Sequence, residues 1–423
     1  MIAIPFVYFS IFLFYTINRK GLCSITTLLV GFYAITSLGA IGIDFCDAYS
    51  TNCPKTEITA VPTFLYCLLH TIVIWPFLKY RDNCVTSIKP LANEKILDYL
   101  VYFYFASFMF EVIFLTPDLI RCWALGAADS HLKDAIAAGE FKTVSLSGVL
   151  GKVAFLSLFL SVGSLSMIFV FFYNLAFRKK KVGYHIMCFL GTLTILFQSI
   201  LRQDRSRFIY WIMLFVLCFV IYYNFLTSQK RKVIRLSFIA MVSLVIVYSA
   251  IMSMRRFGER GTFDNENFYL LNYAGQSFIN FCNFYEHLNL PYIYWDGPFP
   301  FTSWILHMDD MNTPQWAAFI LQKTGVNILV FASYIGVLFS YVGVPITIVL
   351  CCLYSLVINK VVISRKNIGQ ISAYRLYLLF ALLLEPYLGI FGHYYHSVPS
   401  EICSVVFLYL FYKASYKTSL KTY

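Results

Sequence analysis

"VAFLSLFLSVGSLSMIFVFFYNLAFRKKK", residues 153–181, decides the fold class of this chain. Residues 153–177 carry no charge, and four cations, Arg178 to Lys181, follow them directly. A helix rises about 1.5 Å per residue, so about 20 apolar residues cross a hydrocarbon core about 30 Å thick. The run is long enough to span, and its basic end marks a side of the membrane.

The rest of the chain repeats the pattern. Of 423 residues, 59% are apolar and 13% charged, with a mean hydropathy of +0.70. Water-soluble domains carry roughly 25% charged residues, so the composition excludes an ordinary soluble globule. The apolar runs are continuous rather than alternating, which excludes an outer-membrane barrel. An all-α integral membrane protein with about 11 transmembrane helices is expected. The candidate spans are 2–17, 22–43, 58–78, 96–117, 153–177, 182–201, 208–227, 236–254, about 336–358, 374–392 and 398–412. The first reads as a retained span, since Met1 precedes it without a basic leader or a small-residue cleavage site. The run 328–358 exceeds one untilted helix, and its first part is expected along the surface. No linker or internal repeat divides the chain. It reads as one polytopic domain, 1–423, with a large extracytoplasmic loop, 255–327.

Cations set the orientation. The connections 18–21, 79–95, 178–181, 228–235, 359–375 and 413–423 hold 21 of the 33 basic residues and two acids, Asp82 and Glu94. The alternate set, 44–57, 118–152, 202–207, 255–327 and 393–397, holds 12 basic residues and 15 acids. The first set is therefore cytoplasmic. The C-terminus lies inside and, with an odd number of spans, the N-terminus outside. Most of the net charge of +12 is then topology and calls for no nucleic acid.

"RQDRSR", 202–207, falls on the outer side, where that rule does not explain it. Seven of the 12 outer cations are Arg, and six sit at two helix ends: Arg202, Arg205 and Arg207, then Arg255, Arg256 and Arg260. Guanidinium grips phosphate in bidentate fashion and stays charged in a partly dry site. Two such groups suit a polyanion such as a lipid pyrophosphate. The alternative is that Asp204 and Glu259 neutralise these arginines, or that they snorkel to headgroups.

The loop 255–327 interleaves aromatics with Asn, Asp, Glu and His, a mixture suited to carbohydrate or to folding down onto the bundle. Its acid–base candidates are Glu259, Asp264, Glu266, Glu286, His287, His307, Asp309 and Asp310; "HMDD", 307–310, is a weak metal-type spacing. His393 and His396 lie at the outer mouth of a late span. Cys46 and Cys53 share a short outer loop that would permit a disulfide in an oxidising compartment. Glu111, Glu385, His70 and His185 are ionisable groups inside spans, each a functional candidate by default. No mirrored halves or paired broken helices of the transporter kind are evident.

The layout resembles bacterial Wzy-type polymerases of O-antigen and capsular oligosaccharide repeat units. "YAGQSFINFCNFY", 273–285, is similar to that family's Tyr/Gly/Asn-aromatic stretch, and "VNILVFASYIGVLFSYVGVPITIVL", 326–350, to its return segment. The resemblance implies a GT-C-like bundle and a metal-independent glycosyltransferase without a cofactor. Such an enzyme works at the outer face of the bacterial inner membrane. It joins a growing glycan on undecaprenyl pyrophosphate to a second lipid-linked repeat unit. Its partners are the lipid-linked donor and acceptor, membrane lipid and a chain-length regulator protein, with no nucleic acid. On this reading the six arginines hold the pyrophosphate, and Glu286 or His307 takes the proton of the attacking hydroxyl. An O-antigen ligase shares the layout. A flippase or exporter of lipid-linked sugars needs a cationic cavity deep between helices.

Overall fold

The computed structural model describes residues 1–80, 85–128, 136, 141–202, 206–240, 242–243, 269–288, 293–307, 313–362, 369–392 and 397–415. It is 78% helical, and seven helices or joined helices among the described residues are long and apolar enough to cross a membrane. They run Ile25–Phe45, Ala60–Lys79, Lys95–Leu125, Gly148–Phe177, Val182–Leu201, Ser206–Phe225 and Ser333–Val361. Each coincides with an expected span. Of the other four, 2–17 and 374–392 correspond to helices of 17 and 16 residues. The span 236–254 lies mostly outside the described residues. The chain divides into two compact units, Met1–Lys89 with Asn267–Ile402, and Pro90–Glu266 with Cys403–Tyr423.

The first unit contains α1 (Ile4–Lys20), α2 (Ile25–Phe45), α3 (Ala60–Lys79) and strand β1 (Val85–Lys89). Ser24 caps α2 by accepting a hydrogen bond from the Thr27 N–H at 3.1 Å, which satisfies one of the donors a helix start leaves open. The Lys20 ammonium donates to the carbonyls of Phe77 and Tyr80 at 3.1 and 2.5 Å. A cation there meets the negative end of α3. Among these helices Phe9 stacks on Tyr33, and Tyr33 and Tyr66 close on His70 with ring centroids 4.8 and 4.1 Å away.

The segment expected as an outer loop is largely helical where described. It holds three further helices, Tyr269–His287, Pro300–Leu306 and Thr313–Thr324. The first crosses α2 at a pair of glycines. A Cβ on Gly275 would come within 2.1 Å of the Gly39 carbonyl carbon, so only two bare backbones permit this approach. The polar residues Asn272, Gln276, Asn280, Asn283 and His287 recur at intervals of three or four and share one face of Tyr269–His287. Asn272 Nδ2 donates to Ala48 O at 3.1 Å, and Asn280 Nδ2 donates to Asn52 O at 3.0 Å and to Phe331 O at 2.9 Å.

The run 328–358 is not one straight helix. Residues up to Ala332 are non-helical, and the helix Ser333–Val362 breaks at Gly343 (φ 76°, ψ 171°), two residues before Pro345. That backbone conformation is open essentially to glycine alone. Pro345 has no N–H, so the Tyr341 carbonyl four residues back loses its helical donor. The Tyr294 N–H takes it at 2.8 Å. Tyr294 also stacks on Trp316 at 5.0 Å, and Gly297 lies flat on the Tyr341 ring, where a Cβ would stand 2.2 Å from Cδ2. The unit is completed by strand β2 (Gly369–Ser372), parallel to β1, the helix Ala373–Leu388 and the first residues of Val398–Ser415.

In the second unit three long helices are interrupted. Helix α4 (Lys95–Phe110) passes through a π turn, Glu111–Leu115, into α5 (Thr116–Ala128). Helix α6 (Gly148–Leu160) continues through a 3₁₀ turn, Ser161–Gly163, into α7 (Ser164–Phe177). Helices α8 (Val182–Gly191) and α9 (Thr194–Leu201) join across Thr192 and Leu193. Helix α10 (Ser206–Tyr222) follows. Phe169, Phe172, Phe215, Trp211 and Tyr222 form an aromatic ladder in the core. The Trp211 indole N–H donates to the Thr192 carbonyl, 3.1 Å away, at the α8–α9 join.

The cations of "RKKK" are not topology alone. Arg178 is buried; its Nε donates to Glu94 at 3.0 Å, and its Nη1 lies 2.8 Å from Asp98 and donates to the Asn174 side chain at 3.0 Å. Burial alone would lower its pKa, but the hydrogen bond to Asp98 and the nearby charges hold it above the ordinary guanidinium value.

Candidate functional site

Arg202 and Arg207, the described arginines of "RQDRSR", flank residues 203–205, which lie outside the described residues. Arg202 ends α9, its N–H donating to Gln198 O at 3.0 Å, and its side chain is exposed. Arg207 sits in the first turn of α10 with Nη1 donating to Gln198 Oε1. The Ser161 hydroxyl donates to the same Oε1 at 2.9 Å, from the 3₁₀ turn below α7. Gln198 and Ser161 are both buried, so Arg207 is anchored by a polar contact inside the bundle. Arg205, Asp204 and the second group, Arg255, Arg256, Glu259 and Arg260, lie outside the described residues, as do Asp264, Glu266, Asp309, Asp310, His393 and His396.

The proposed proton acceptors belong to the first unit. Glu286, exposed in the last turn of Tyr269–His287, accepts a hydrogen bond from the Thr59 hydroxyl at 2.8 Å. His287 Nδ1 is 3.0 Å from the Asn283 carbonyl. His307 is exposed and ends Pro300–Leu306 in the left-handed region, φ 48° and ψ 48°. Among the described residues no hydrogen bond joins Glu286 to His307, and no group of three His, Cys, Asp or Glu is placed to hold a metal ion.

The aromatics of this segment divide by role. Tyr294 and Trp316 are buried with Phe284, Ile320 and Tyr341 and serve as core. Trp304 is 62% exposed and stacks on Phe301, 6.2 Å between centroids. The Phe301 N–H donates to the Glu401 carboxylate at 2.7 Å, which fixes the start of this short helix.

Cys46 and Cys53 are free thiols, against the disulfide the spacing permits. Cys53 is fully buried, and burial pushes its thiol up to about 12. A thiol that holds its proton supplies little thiolate for exchange. The Cys53 backbone is fixed besides, by paired 2.9 Å hydrogen bonds with Ser50.

Sequence reading missed Gln198, Ser161 and Thr59 as partners of the charged residues, since uncharged polar residues in apolar runs carry no local signal. Fold and site together define a helical protein of membrane type with an arginine-bearing helix turn. Compared with protein families, with characterised proteins and with solved structures, the chain has no match.

Proposed function

We propose that this chain is a glycosyltransferase that polymerises lipid-pyrophosphate-linked oligosaccharide repeat units at the outer face of the bacterial inner membrane, with about eleven spans and a GT-C-like bundle. The observation that carries the reading is the anchoring of Arg207 on Gln198 and Ser161. A cation that merely snorkels to headgroups has no need of a buried partner. An anchored guanidinium is preorganised for charge that builds on a pyrophosphate leaving group as the glycosidic bond breaks. Arg202, on the other side of the turn, adds a second fork, and Arg205, Arg255, Arg256 and Arg260 are assigned the same role. Glu286, already accepting a hydroxyl hydrogen bond from Thr59, is the proposed acceptor of the sugar hydroxyl proton, with His307 as the other candidate. A single displacement would invert the anomeric centre.

The test is reconstitution in liposomes with two lipid-linked repeat units. A ladder of longer lipid-linked glycans is expected. Movement of one unit across the bilayer without a ladder points to a flippase instead, and transfer only to a lipid A core acceptor points to a ligase. Arg207→Lys keeps the charge and loses the fork, and should reduce ladder formation at least about tenfold, the equivalent of about 1.4 kcal/mol. Undiminished product in that variant sinks the bidentate role.

A further inference from the structure

The interruption at Glu111 holds a carboxyl group that no part of the proposed chemistry uses. Glu111 lies within the membrane-spanning stretch Lys95–Leu125, is 0% exposed, and opens the π turn Glu111–Leu115. Single π turns inside helices occur frequently at functional sites, because they re-aim side chains at a loss of regular hydrogen bonding. The Glu111 N–H reaches back to the carbonyls of Ser107 and Phe108. The Ser157 hydroxyl of α6 donates to Glu111 Oε1 at 2.8 Å, and the Ser107 hydroxyl is 2.6 Å from that of Ser157. Ser157 has one proton and gives it to Glu111, so Ser107 donates in turn to Ser157. Two hydroxyls are thus aligned on one carboxylate oxygen. The other, Oε2, is buried and has no hydrogen-bond partner among the described residues.

Among the described residues no countercharge serves this group. The elements packed on the π turn are α4, α5 and α6, and α9 and residues 141–146 share the apolar cluster of Leu115. Their titratable groups are Lys95, Asp98, Tyr99, Tyr102 and Tyr104 on α4, Asp118, Arg121 and Cys122 on α5, Lys152 on α6 and the exposed Lys142, with none on α9. Asp98 is engaged by Arg178 and Lys180, and Asp118 by Arg121 and the Ser145 N–H. Tyr104 donates to the Leu160 carbonyl, Cys122 to that of Thr143, and Lys152 is exposed. None forms a hydrogen bond or an ion pair with Glu111. An isolated carboxylate in an apolar interior is too costly to persist without a bound positive charge.

We infer that Glu111 is the seat of one exchangeable proton, held at Oε2 inside the second unit. The two serines supply the oriented dipoles that steady the carboxylate whenever the proton leaves. Ser157 and Ser161 are four residues apart, so the site stands one turn from the Ser161–Gln198–Arg207 contact. The inference does not depend on the polymerase reading, and its test involves no glycan.

The experiment is infrared difference spectroscopy on the full chain in lipid vesicles, wild type minus Glu111→Gln, across about pH 5 to 9, a range that brackets carboxyl and histidine titration. Glu111→Asp keeps the carboxyl and controls for folding, together with unchanged amide bands in all three proteins. A carboxylic C=O band in the difference spectrum that disappears as pH rises identifies the proton as occupant. A band that gives way to carboxylate on adding sodium chloride at fixed pH, but not choline chloride, overturns the proton assignment. Absence of any Glu111 signal that responds to pH overturns the inference, as does a carboxylic band that never changes.

Discussion

Two interrupted helices, one in each unit, meet the same difficulty in opposite ways. At Gly343–Pro345 the freed Tyr341 carbonyl is taken by the Tyr294 N–H, and Gly297 and Trp316 close the gap with packed rings. At Glu111–Leu115 the gap is lined by Ser107 and Ser157, yet one carboxylate oxygen is left without a partner among the described residues. A break that the protein seals with its own backbone is a joint. A break that leaves a buried oxygen open is a place for something to bind. The difference lies in satisfaction of polar groups, since both helices deviate locally from ideal geometry.

The contrast breaks first, and most severely, at the seal. Gly297→Val would drive a branched side chain into the Tyr341 ring and should lower stability by about 3 kcal/mol, as overpacking of a filled core does. A thermal midpoint in detergent equal to wild type would mean the segment does not seat there. Gly343→Ala forces a side chain into a backbone region reserved for glycine, with an expected loss of about 2 kcal/mol by the same measurement. On the other side of the comparison, Ser157→Ala removes the only hydroxyl donor on Glu111 Oε1. It should cost about 1 to 2 kcal/mol, but less in Glu111→Leu, because no buried oxygen is then left unmet. Additive losses in that double variant would deny the coupling. The smallest effect belongs to Pro345→Ala, below about 1 kcal/mol. It restores a donor to Tyr341, so the Tyr294 amide should exchange with solvent faster. Unchanged protection at Tyr294 would show that proline is not what frees the carbonyl.

Seven of the expected spans are legible in the sequence because burial in lipid demands long apolar runs, and such runs are local. The break at Gly343 is legible for the same kind of reason, since a glycine two residues before a proline signals it in "YVGVPI". The π turn is not, because "FEVIFL" contains no residue that ordinarily breaks a helix. Arg178 shows the limit of counting charges: its place in "RKKK" reads as orientation, while its side chain is buried among Glu94, Asp98 and Asn174. The stretch 273–285 carries a resemblance to a family motif, and its Gly275 turns out to hold a helix crossing and its Asn280 two backbone carbonyls.

The sequence by itself determined the membrane class of this protein and the position of most spans, because hydropathy is summed along neighbouring residues. Only the tertiary structure decided which polar groups are met and which are left open. Those pairings join residues far apart in the chain, Tyr33 with Pro386 across 353 positions and Thr59 with Glu286 across 227. No local pattern encodes a partner at that separation. Whether a buried oxygen finds a donor depends on how whole helices pack, and that is why Glu111 Oε1 has the Ser157 hydroxyl while Oε2 has no partner among the described residues.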